Sequence, residues 1–205
     1  MYKLGITGGL GSGKSTAAQY LIRRGIPVID ADLVAKNQLE TSGVLQAELL
    51  QEFGLSIFKS KGGMNYSALA AIAFSSPEKQ QRLNQIVWPH VRERMGLFFN
   101  DCQIGGKPLA AIDAALLLEA GFKNDLDGIL LITAGKALRI ERAMARGNLT
   151  LEQVQARMAL QMPETEKRKL ADYIIENKLG KAQLEKALDS ICQIILQEKS
   201  CLGNK

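Results

Sequence analysis

Short apolar runs recur along the chain, and turn residues or carboxylates border them. They cover residues 3–7 (KLGIT), 28–30 (VID), 109–113 (LAAID), 128–133 (GILLIT) and 173–175 (YII). Runs of this length between turn signals are typical of buried strands. A helical pattern follows the first run from Ser15, with Ala18, Leu21 and Ile22 on one face and Gly25 placed to end the helix. This strand–loop–helix–strand unit predicts parallel strands.

The hydrophobic pattern changes between residues 33 and 94, where helical spacing dominates and strand signals are few. Helices are predicted over residues 44–53 and 66–74, and a long one begins at Pro77. Ser76, Pro77 and Glu78 form a helix start, because they supply an N-cap, a first-position proline and an acid near the positive end of the helix dipole. The segment therefore predicts a helical insertion in an α/β core.

Further helices are predicted between the last strands. A basic helix is expected over residues 136–146, and Thr150 with Gln153 forms a capping box for the next helix. The last helix carries an apolar stripe of Leu184, Leu188, Ile191 and Ile195. The predicted fold class is α/β, with a parallel sheet flanked by helices.

Size and composition fit one such domain with a helical insertion. The chain has 205 residues, and its 46% of hydrophobic residues allows a sizeable core. No apolar run reaches the length of a membrane span, and the N-terminus lacks the basic and apolar segments of a signal peptide. We therefore expect a cytoplasmic protein without a membrane partner.

Cysteine and histidine usage argues against a zinc site. Cys102, Cys192 and Cys201 are scattered, and His90 is the single histidine, so the spacing of metal ligands is absent. The cysteines are expected to be reduced thiols or small apolar side chains.

The net charge of +5 allows either nucleic acid or an acidic small molecule as a ligand. The basic residues are not interleaved with aromatic residues, and the densest run is Lys167, Arg168 and Lys169. That run lies in an amphipathic stretch and is typical of a solvated helix face. Polyphosphate ligands account for the charge equally well, so no nucleic-acid partner is expected.

A glycine-rich turn follows the first predicted strand. Residues 8–15, GGLGSGKS, match the P-loop pattern G-x-x-x-x-G-K-[ST]. Its glycines let successive N–H groups point at phosphate oxygens, and the following helix adds its positive end. Lys14 is expected to contact the β- and γ-phosphates, and the Ser15 hydroxyl to ligate magnesium. The motif therefore predicts ATP and Mg²⁺ as cofactors.

Carboxylates stand at the ends of two predicted strands. Asp30 and Asp32 follow the second strand, and Asp113 ends the third. Ligands bind at this edge of open α/β sheets, where a carboxylate can accept a proton from a hydroxyl or hold magnesium through water. Other interpretations stay open: Asp32 can cap a helix that starts at Leu33, and Asp113 can be a turn residue or a Walker B acid. Glu119 is equally ambiguous.

Three arginines of the basic helix, Arg139, Arg142 and Arg146, lie three and four residues apart and therefore share one face. In a phosphoryl-transfer enzyme such a helix forms a lid that places guanidinium groups on the developing charge. A solvated arginine face is the alternative interpretation.

Several segments together resemble the dephospho-CoA kinase family, in order and over nearly the whole chain. They are TGGLGSGKST at 7–16, PVIDAD at 27–32, LLLEAGF at 116–122, ERAMAR at 141–146 and QMPETEKRKLADYIIEN at 161–177. The first two, in succession, are quite specific to this family among P-loop kinases. The resemblance implies transfer of the ATP γ-phosphate to the ribose 3′-hydroxyl of dephospho-CoA, the last step of coenzyme A synthesis.

The resemblance also implies a domain plan. A P-loop NTPase core is expected over residues 1–32, 95–135 and 170–205, a helical acceptor-binding insertion over 33–94, and a lid over 136–169. Asp32 matches the proposed base of the family, and we expect catalysis by Asp32, Lys14 and Arg142. Thr7 and Asp32 are expected at the acceptor, and Ser15 at the metal. The expected nucleotide-binding residues are Gly9, Gly11, Ser12, Gly13, Lys14, Ser15, Thr16, Arg142, Arg146 and Asn177.

Some positions depart from the family's usual pattern. They are Trp88-Pro89 in place of a His-Pro pair, Ala115 in place of a proline, Asn65-Tyr66 in place of an Asp-Arg pair, and Glu176 in place of an aspartate. The first three lie on the side assigned to the acceptor, so they bear on acceptor binding.

Other functions predict features that can be checked in the sequence. A regulatory GTPase should carry [NT]-K-x-D, and the nearest string, NKLG at 177–180, lacks the acid. A nucleic-acid-binding ATPase is compatible with the charge, but no stacking platform or recognition motif is visible. Another small-molecule P-loop kinase, for instance one acting on nucleoside monophosphates, is the nearest alternative.

Overall fold

Five parallel strands form a sheet in the computed structural model of the chain, which describes residues 1–60, 62–145 and 149–202, with side chains described up to residue 198. The strands are β1 (Tyr2–Thr7), β2 (Val28–Asp30), β3 (Leu109–Asp113), β4 (Gly128–Thr133) and β5 (Tyr173–Glu176). Their order in the sheet is β2-β3-β1-β4-β5, and every neighbouring pair is parallel. The predicted strands and the parallel sheet are confirmed.

The centre of the sheet explains why the apolar runs are continuous. All residues of β3 and β4 are buried, as are the last four of β1, so both faces of the central sheet are covered, as is typical of parallel sheets. In the register of the sheet, Ile6 of β1 lies beside Asp113 of β3, and Thr7 lies beside Leu131 of β4. The carboxyl ends of these three strands therefore share one edge.

Nine helices are present among the described residues. They are α1 (Lys14–Arg23), α2 (Ala31–Thr41), α3 (Gly43–Phe53), α4 (Tyr66–Ala73), α5 (Pro77–Ile104), α6 (Lys136–Ala145), α7 (Leu151–Ala159), α8 (Glu164–Leu170) and α9 (Lys181–Leu202). Two short 3₁₀ turns add Leu55–Ile57 and Phe122–Asp125.

The predicted helix signals have the expected local geometry. The Ser76 hydroxyl accepts a hydrogen bond from the backbone N–H of Lys79 at 3.3 Å, as an N-cap does. Thr150 and Gln153 form both bonds of the capping box. In α9, Leu184, Leu188 and Ile195 are buried, and Ile191 packs partly buried against the same core.

The start of α2 differs from the predicted one. The helix begins at Ala31, directly after β2, so Asp32 lies in its first turn rather than at a cap before Leu33. No glycine or proline separates strand from helix, and the chain enters the helix without a loop. An acid in a first turn is favoured by the positive end of the helix dipole.

The chain divides into two compact units. A sheet unit comprises residues 1–30 and 98–205, and a helical unit comprises residues 31–97. The sheet unit is centred on the apolar side chains of β1, β3 and β4 with α1 and α9. The helical unit has its own buried residues, among them Leu45, Leu49, Ile57 and Leu69. The acceptor-binding and lid roles assigned to parts of the chain stay predictions.

The two cysteines with described side chains, Cys102 and Cys192, are free thiols. Burial raises the pKa of the Cys192 thiol to about 11, so it is protonated and unreactive near neutral pH. The side chain of Cys201 lies outside the described ones. None of the helices in the described part of the chain is both long and apolar enough to cross a membrane.

Candidate active site

The predicted phosphate-binding loop lies between β1 and α1. Gly13 precedes α1 in the left-handed region with φ 102°, and Gly11 has φ 79°. A Cβ added at Gly11 would collide with the backbone oxygen of Arg139, so both conformation and space require glycine there. Within the loop, the Ser12 N–H donates to Gly9 O at 3.0 Å. The sequence thus produces the tight turn that the motif predicts.

Lys14 and Asp113 form an ion pair at the carboxyl edge of the sheet. Lys14 Nζ donates to Asp113 Oδ1, and the two side chains are 13% and 6% exposed. Asp113 belongs to the site because parallel pairing sets the end of β3 beside β1. Asp113 was ambiguous from sequence, and its pairing with the P-loop lysine favours the Walker B interpretation over that of a simple turn residue.

Hydroxyl and carboxylate oxygens near the loop fit the needs of magnesium. Ser15 is exposed in the first turn of α1, and Asp113 contacts the side chain of the preceding residue, Lys14. Mg²⁺ prefers such hard oxygens and usually keeps waters and substrate phosphates as its other ligands. Among the described residues no group of three His, Cys, Asp or Glu could hold a metal, and Mg²⁺ of this kind needs none.

A cavity of about 390 Å³ lies on the α9 side of the loop. Its lining includes Gly11, Gly13, Thr16, Arg142 and Asn177. Asn177 is 7% exposed, and its Nδ2 donates to Ser12 O at 2.9 Å. Arg142 Nη1 donates to Asn177 O at 3.1 Å. The structure therefore brings together these five residues that were predicted to bind the nucleotide, and their binding role stays a prediction.

The residue before Asn177 is held in an ion-pair network. Lys178 and Arg168 lower the pKa of the Glu176 carboxyl, with the Lys178 contact as the larger cause. Arg168 Nη2 lies 2.9 Å from Glu176 Oε1, which joins α8 to the end of β5. Glu176 therefore stays ionised well below neutral pH.

The two arginines of α6, Arg139 and Arg142, contact different parts of the protein and do not line one common surface. Arg142 points to Asn177, whereas Arg139 reaches the opposite side of the loop, where a Cβ added at Gly9 would collide with its Nη1. Arg146 lies outside the described residues, so its predicted role is not tested. Sequence spacing placed the arginines on one helix face, but side-chain direction sends them to different partners.

The remaining predicted acceptor residues occupy different environments. Thr7 is fully buried at the end of β1, and its Oγ1 has no hydrogen-bond partner within the described ranges. Asp32 is exposed in the first turn of α2, two residues after Asp30, which lies beside Asp113 in the sheet register. The roles of both residues stay predictions.

Asn65, a departure from the family pattern, and the single histidine, two residues after the departure at Trp88, have partners within the helical unit. Asn65 is the N-cap of α4 and accepts from Ala68 N at 3.2 Å. His90 Nε2 lies 3.1 Å from Glu48 Oε2. Both residues therefore have structural uses that do not depend on a ligand.

A larger cavity, of about 650 Å³, lies on the other side of the P-loop. Its lining includes Gly9, Thr133, Arg139, Gln161 and Lys167. Gln161 Oε1 accepts from the backbone N–H of Leu10 at 3.0 Å, which ties the segment before α8 to the loop. Sequence reasoning assigned no role to Thr133, Gln161 or Lys167, because the contacts that place them here join distant parts of the chain.

Lys167 corrects the prediction of a solvated helix face. It is 2% exposed, and its Nζ lies 2.9 Å from Glu119 Oε1 and donates to Ala115 O at 3.2 Å. Glu119 also accepts from the backbone N–H of Met162 at 2.8 Å. The prediction was wrong here because a tertiary carboxylate compensates the buried charge. Lys169, on the same helix, is solvated as predicted.

We expect Lys167→Met to lower the free energy of unfolding by about 2–3 kcal/mol, since it leaves Glu119 without its buried partner. The loss should be below that of a fully buried pair because Glu119 is 21% exposed. Urea unfolding followed by circular dichroism measures the change. Lys169→Met, on an exposed position of the same helix, is the matched control and should change stability by less than about 0.5 kcal/mol. Equal effects of the two substitutions would contradict the inferred pair.

Comparison with known proteins gives one consistent family. A family model described as dephospho-CoA kinase matches residues 2–183. The curated dephospho-CoA kinase of Lactobacillus johnsonii is 34% identical over 95% of this chain and 98% of its own length. That of Deinococcus radiodurans is 39% identical over 92% of this chain and 89% of its own length.

Solved structures agree with these relatives. A structure from Thermus thermophilus is 36% identical, with a TM-score of 0.79, and the match covers 94% of this chain and 96% of that chain. The dephospho-CoA kinase of Campylobacter jejuni is 25% identical, with a TM-score of 0.70, over 96% of this chain and 98% of that one. A shikimate kinase from Acinetobacter baumannii, at 16% identity and a TM-score of 0.54 over 97% and 95% of the two chains, shares the fold.

Proposed function

The chain belongs to the dephospho-CoA kinase family, and on that premise we propose how its residues transfer the γ-phosphate of ATP to the 3′-hydroxyl of dephospho-CoA. The products are coenzyme A and ADP. The observation that carries the proposal is the P-loop between β1 and α1, with Lys14 held against Asp113 at the carboxyl edge of the sheet. In the reaction an oxygen–phosphorus bond forms to the ribose hydroxyl, and the bond between the γ-phosphorus and the β,γ-bridging oxygen breaks.

The P-loop and the N-terminus of α1 are proposed to bind the phosphates of ATP. The backbone N–H groups of Gly11, Gly13 and Lys14 would donate to phosphate oxygens, aided by the positive end of α1. Lys14 would turn its ammonium group toward the β- and γ-phosphates and stabilise the charge that develops on them. Asp113 holds the same ammonium group before the nucleotide binds.

We assign the magnesium site to Ser15 and Asp113. A bound Mg²⁺ would neutralise phosphate charge and orient the transferred group. The hydroxyl of Ser15 would be its direct protein ligand, and the carboxylate of Asp113 would lie nearby as a Walker B acid. The remaining ligands would be phosphate oxygens and water.

Asp32 is proposed to receive the proton of the ribose hydroxyl. Its carboxylate is exposed, and along the chain it stands two residues after the end of β2. The hydroxyl oxygen attacks the γ-phosphorus while its proton passes to the carboxylate. Thr7 and Asp32 are the proposed acceptor contacts.

On the nucleotide side, Thr16 and Asn177 are proposed to hold the base and ribose end of ATP in the 390 Å³ cavity, and Arg142, which lines the same cavity, is the proposed lid arginine for the phosphates. The packing of Asn177 against Ser12 supports this assignment, because it joins the base end of the cavity to the phosphate loop. The proposal includes Arg146, whose match to a lid arginine rests on the sequence resemblance.

Arg142→Ala should lower kcat more than it raises the KM for ATP. A lid arginine acts chiefly on charge that develops in the transition state, so its loss is felt in the chemical step. We expect a fall in kcat of about 10²-fold, the order seen when one charge-stabilising donor is removed. Initial rates over a range of ATP concentrations measure both constants. Arg24→Ala, at an exposed arginine that directly follows α1 and lies outside the lid, is the control. An unchanged kcat in the Arg142 variant would contradict the catalytic role and show that this side chain is solvated or purely structural.

An acceptor panel tests the proposed function directly. The enzyme is incubated with Mg-ATP and, separately, dephospho-CoA and nucleoside monophosphates, and ADP release is followed. Dephospho-CoA should be the preferred acceptor by kcat/KM. Preference for a nucleoside monophosphate would refute the proposal.

A cytoplasmic location is part of the proposal, since ATP is the donor. Added DNA or RNA is expected to leave the rate of ADP release unchanged.

A further inference from the structure

The 650 Å³ cavity beside Gly9 has a strongly basic lining. Lys136, Arg139 and Lys167 contribute three cations, and Glu164 is the carboxylate that lines it. The ion pair between two of these lining residues, Arg139 Nη2 and Glu164 Oε2, is long at 3.9 Å. Glu119, outside the lining, pairs with Lys167, so three cations face two carboxylates and one positive charge is in excess. A concave surface with a positive excess favours an anionic ligand.

Two buried polar groups in this lining have no hydrogen-bond partner in the described part of the chain. Thr133 is 2% exposed, and its Oγ1 is unpaired among the described residues. The side chain of Arg139 is 15% exposed, but its Nε atom is buried and likewise unpaired there. Buried polar groups are normally satisfied, so unpaired donors on the wall of a basic cavity indicate a ligand with acceptor oxygens. A phosphate oxygen meets this requirement for both groups.

The position of the cavity separates it from the nucleotide side. It lies beyond Gly9, at the first half of the loop, and Gln161 connects its wall to the N–H of Leu10. The 390 Å³ cavity with Arg142 and Asn177 lies against the second half, at Gly11 and Gly13. Arg139 and Arg142 thus serve different sides of one loop, and an ATP molecule held by the second half leaves the first cavity available for another anion.

We propose that this cavity binds the diphosphate group of the acceptor, with Arg139 and Thr133 as its donors and Lys167 as a fixed neighbouring charge. The inference rests on the proposed function, because dephospho-CoA carries a diphosphate that nucleosides and simple alcohols lack. Glu119 holds Lys167 in place, so the charge is oriented before the acceptor binds. The site makes the diphosphate, as well as the ribose hydroxyl, a determinant of acceptor choice.

Inorganic pyrophosphate is the probe for this site. Calorimetry measures its dissociation constant while a saturating β,γ-imido analogue of ATP with Mg²⁺ occupies the P-loop. Pyrophosphate should bind beside the analogue and be displaced by dephospho-CoA. Arg139→Gln should raise the dissociation constants of pyrophosphate and of dephospho-CoA by about tenfold or more, the effect expected when one hydrogen bond to a charged group is lost. The dissociation constant of the ATP analogue should change by less than about twofold. Lys186→Gln, at an exposed lysine of α9, is the charge-matched control and should change neither.

A nearly isosteric substitution at Thr133 tests the site independently, in case the Arg139 variant does not fold. Thr133→Val removes only the hydroxyl and should weaken pyrophosphate about threefold or more, while Thr133→Ser should restore binding. Pyrophosphate that does not bind beside the analogue, or that binds both variants as tightly as wild type, would overturn the site. Weaker analogue binding in both variants would assign the cavity to ATP and overturn it as well. If pyrophosphate binds as expected but dephospho-CoA is not phosphorylated, the anion site is supported and the proposed function is refuted.

Discussion

Replacing Lys14 with alanine should reduce turnover at least about 10³-fold, because the only ammonium group on the P-loop is lost where phosphate charge develops. The side chain lies at the start of α1 and contacts Asp113 rather than the apolar core. The fold should therefore persist. The structure adds a cost that the sequence did not predict: the ion pair between Lys14 and Asp113 is lost, which we expect to lower the free energy of unfolding by about 1–3 kcal/mol.

The measurements are ADP release and thermal unfolding followed by circular dichroism. Lys178→Ala is the control, because this exposed lysine also pairs with a carboxylate, Glu176, but does not belong to the P-loop. The double variant Lys14→Ala/Asp113→Asn separates the two effects, since it should recover stability without recovering turnover. Activity of Lys14→Ala within a few-fold of wild type would refute the P-loop assignment.

Replacing Asp32 with asparagine should reduce kcat on the order of 10²–10⁴-fold, with ATP binding nearly unchanged, if the carboxylate receives the hydroxyl proton. The alternative explanation, that Asp32→Asn loses activity because a helix cap is lost and the protein is destabilised, is weakened by the structure. Asp32 is exposed in the first turn of α2 and is not the residue that caps it, so neutralising it should cost only about 0.3–1 kcal/mol of stability through the helix dipole.

Comparison of Asp32→Asn with Asp32→Ala separates proton transfer from positioning. Phosphoryl transfer is often loose, with late proton removal, so orientation of the hydroxyl can matter more than basicity. Asparagine still accepts one hydrogen bond and alanine accepts none. We expect both variants to be damaged to a similar degree. An asparagine variant that keeps most of its activity would show that Asp32 is not the base.

Excess magnesium and the neutralisation of a second exposed carboxylate supply the controls for Asp32. Recovery of activity in excess Mg²⁺ would indicate a role in organising the metal rather than in receiving the proton. Asp101→Asn, at an exposed acid of α5 in the sheet unit, should leave kcat unchanged.

Prediction from sequence succeeded where the physical cause is local. The apolar runs of β1, β3 and β4 predict strands because burial on both faces leaves no room for polar alternation. The capping box at Thr150 depends on residues three positions apart, and its bonds are present. Local signals also located the P-loop, since a strand, the glycines and a helix follow one another directly along the chain.

Prediction failed where the neighbouring residues in the sequence allow more than one environment for a side chain. Lys167 has the sequence neighbourhood of a solvated lysine, yet Glu119 and Ala115 O make its burial tolerable. The start of α2 was misplaced because Asp32 resembles a cap, although the helix continues from β2 without a loop. In both cases the residue type allowed two environments, and packing selected one of them.

Sequence by itself determined the strands and most of the helices, the P-loop and the resemblance to the family, because these depend on residue types at fixed short spacings. Tertiary structure alone decided which polar groups meet: the Lys14 and Asp113 side chains, 99 residues apart, and the Leu10 N–H with the Gln161 side chain, 151 residues apart. It also sent Arg139 and Arg142 to opposite sides of the loop. The physical reason is that an ion pair or a cavity depends on distance in space, which the parallel pairing of distant strands sets and sequence spacing does not.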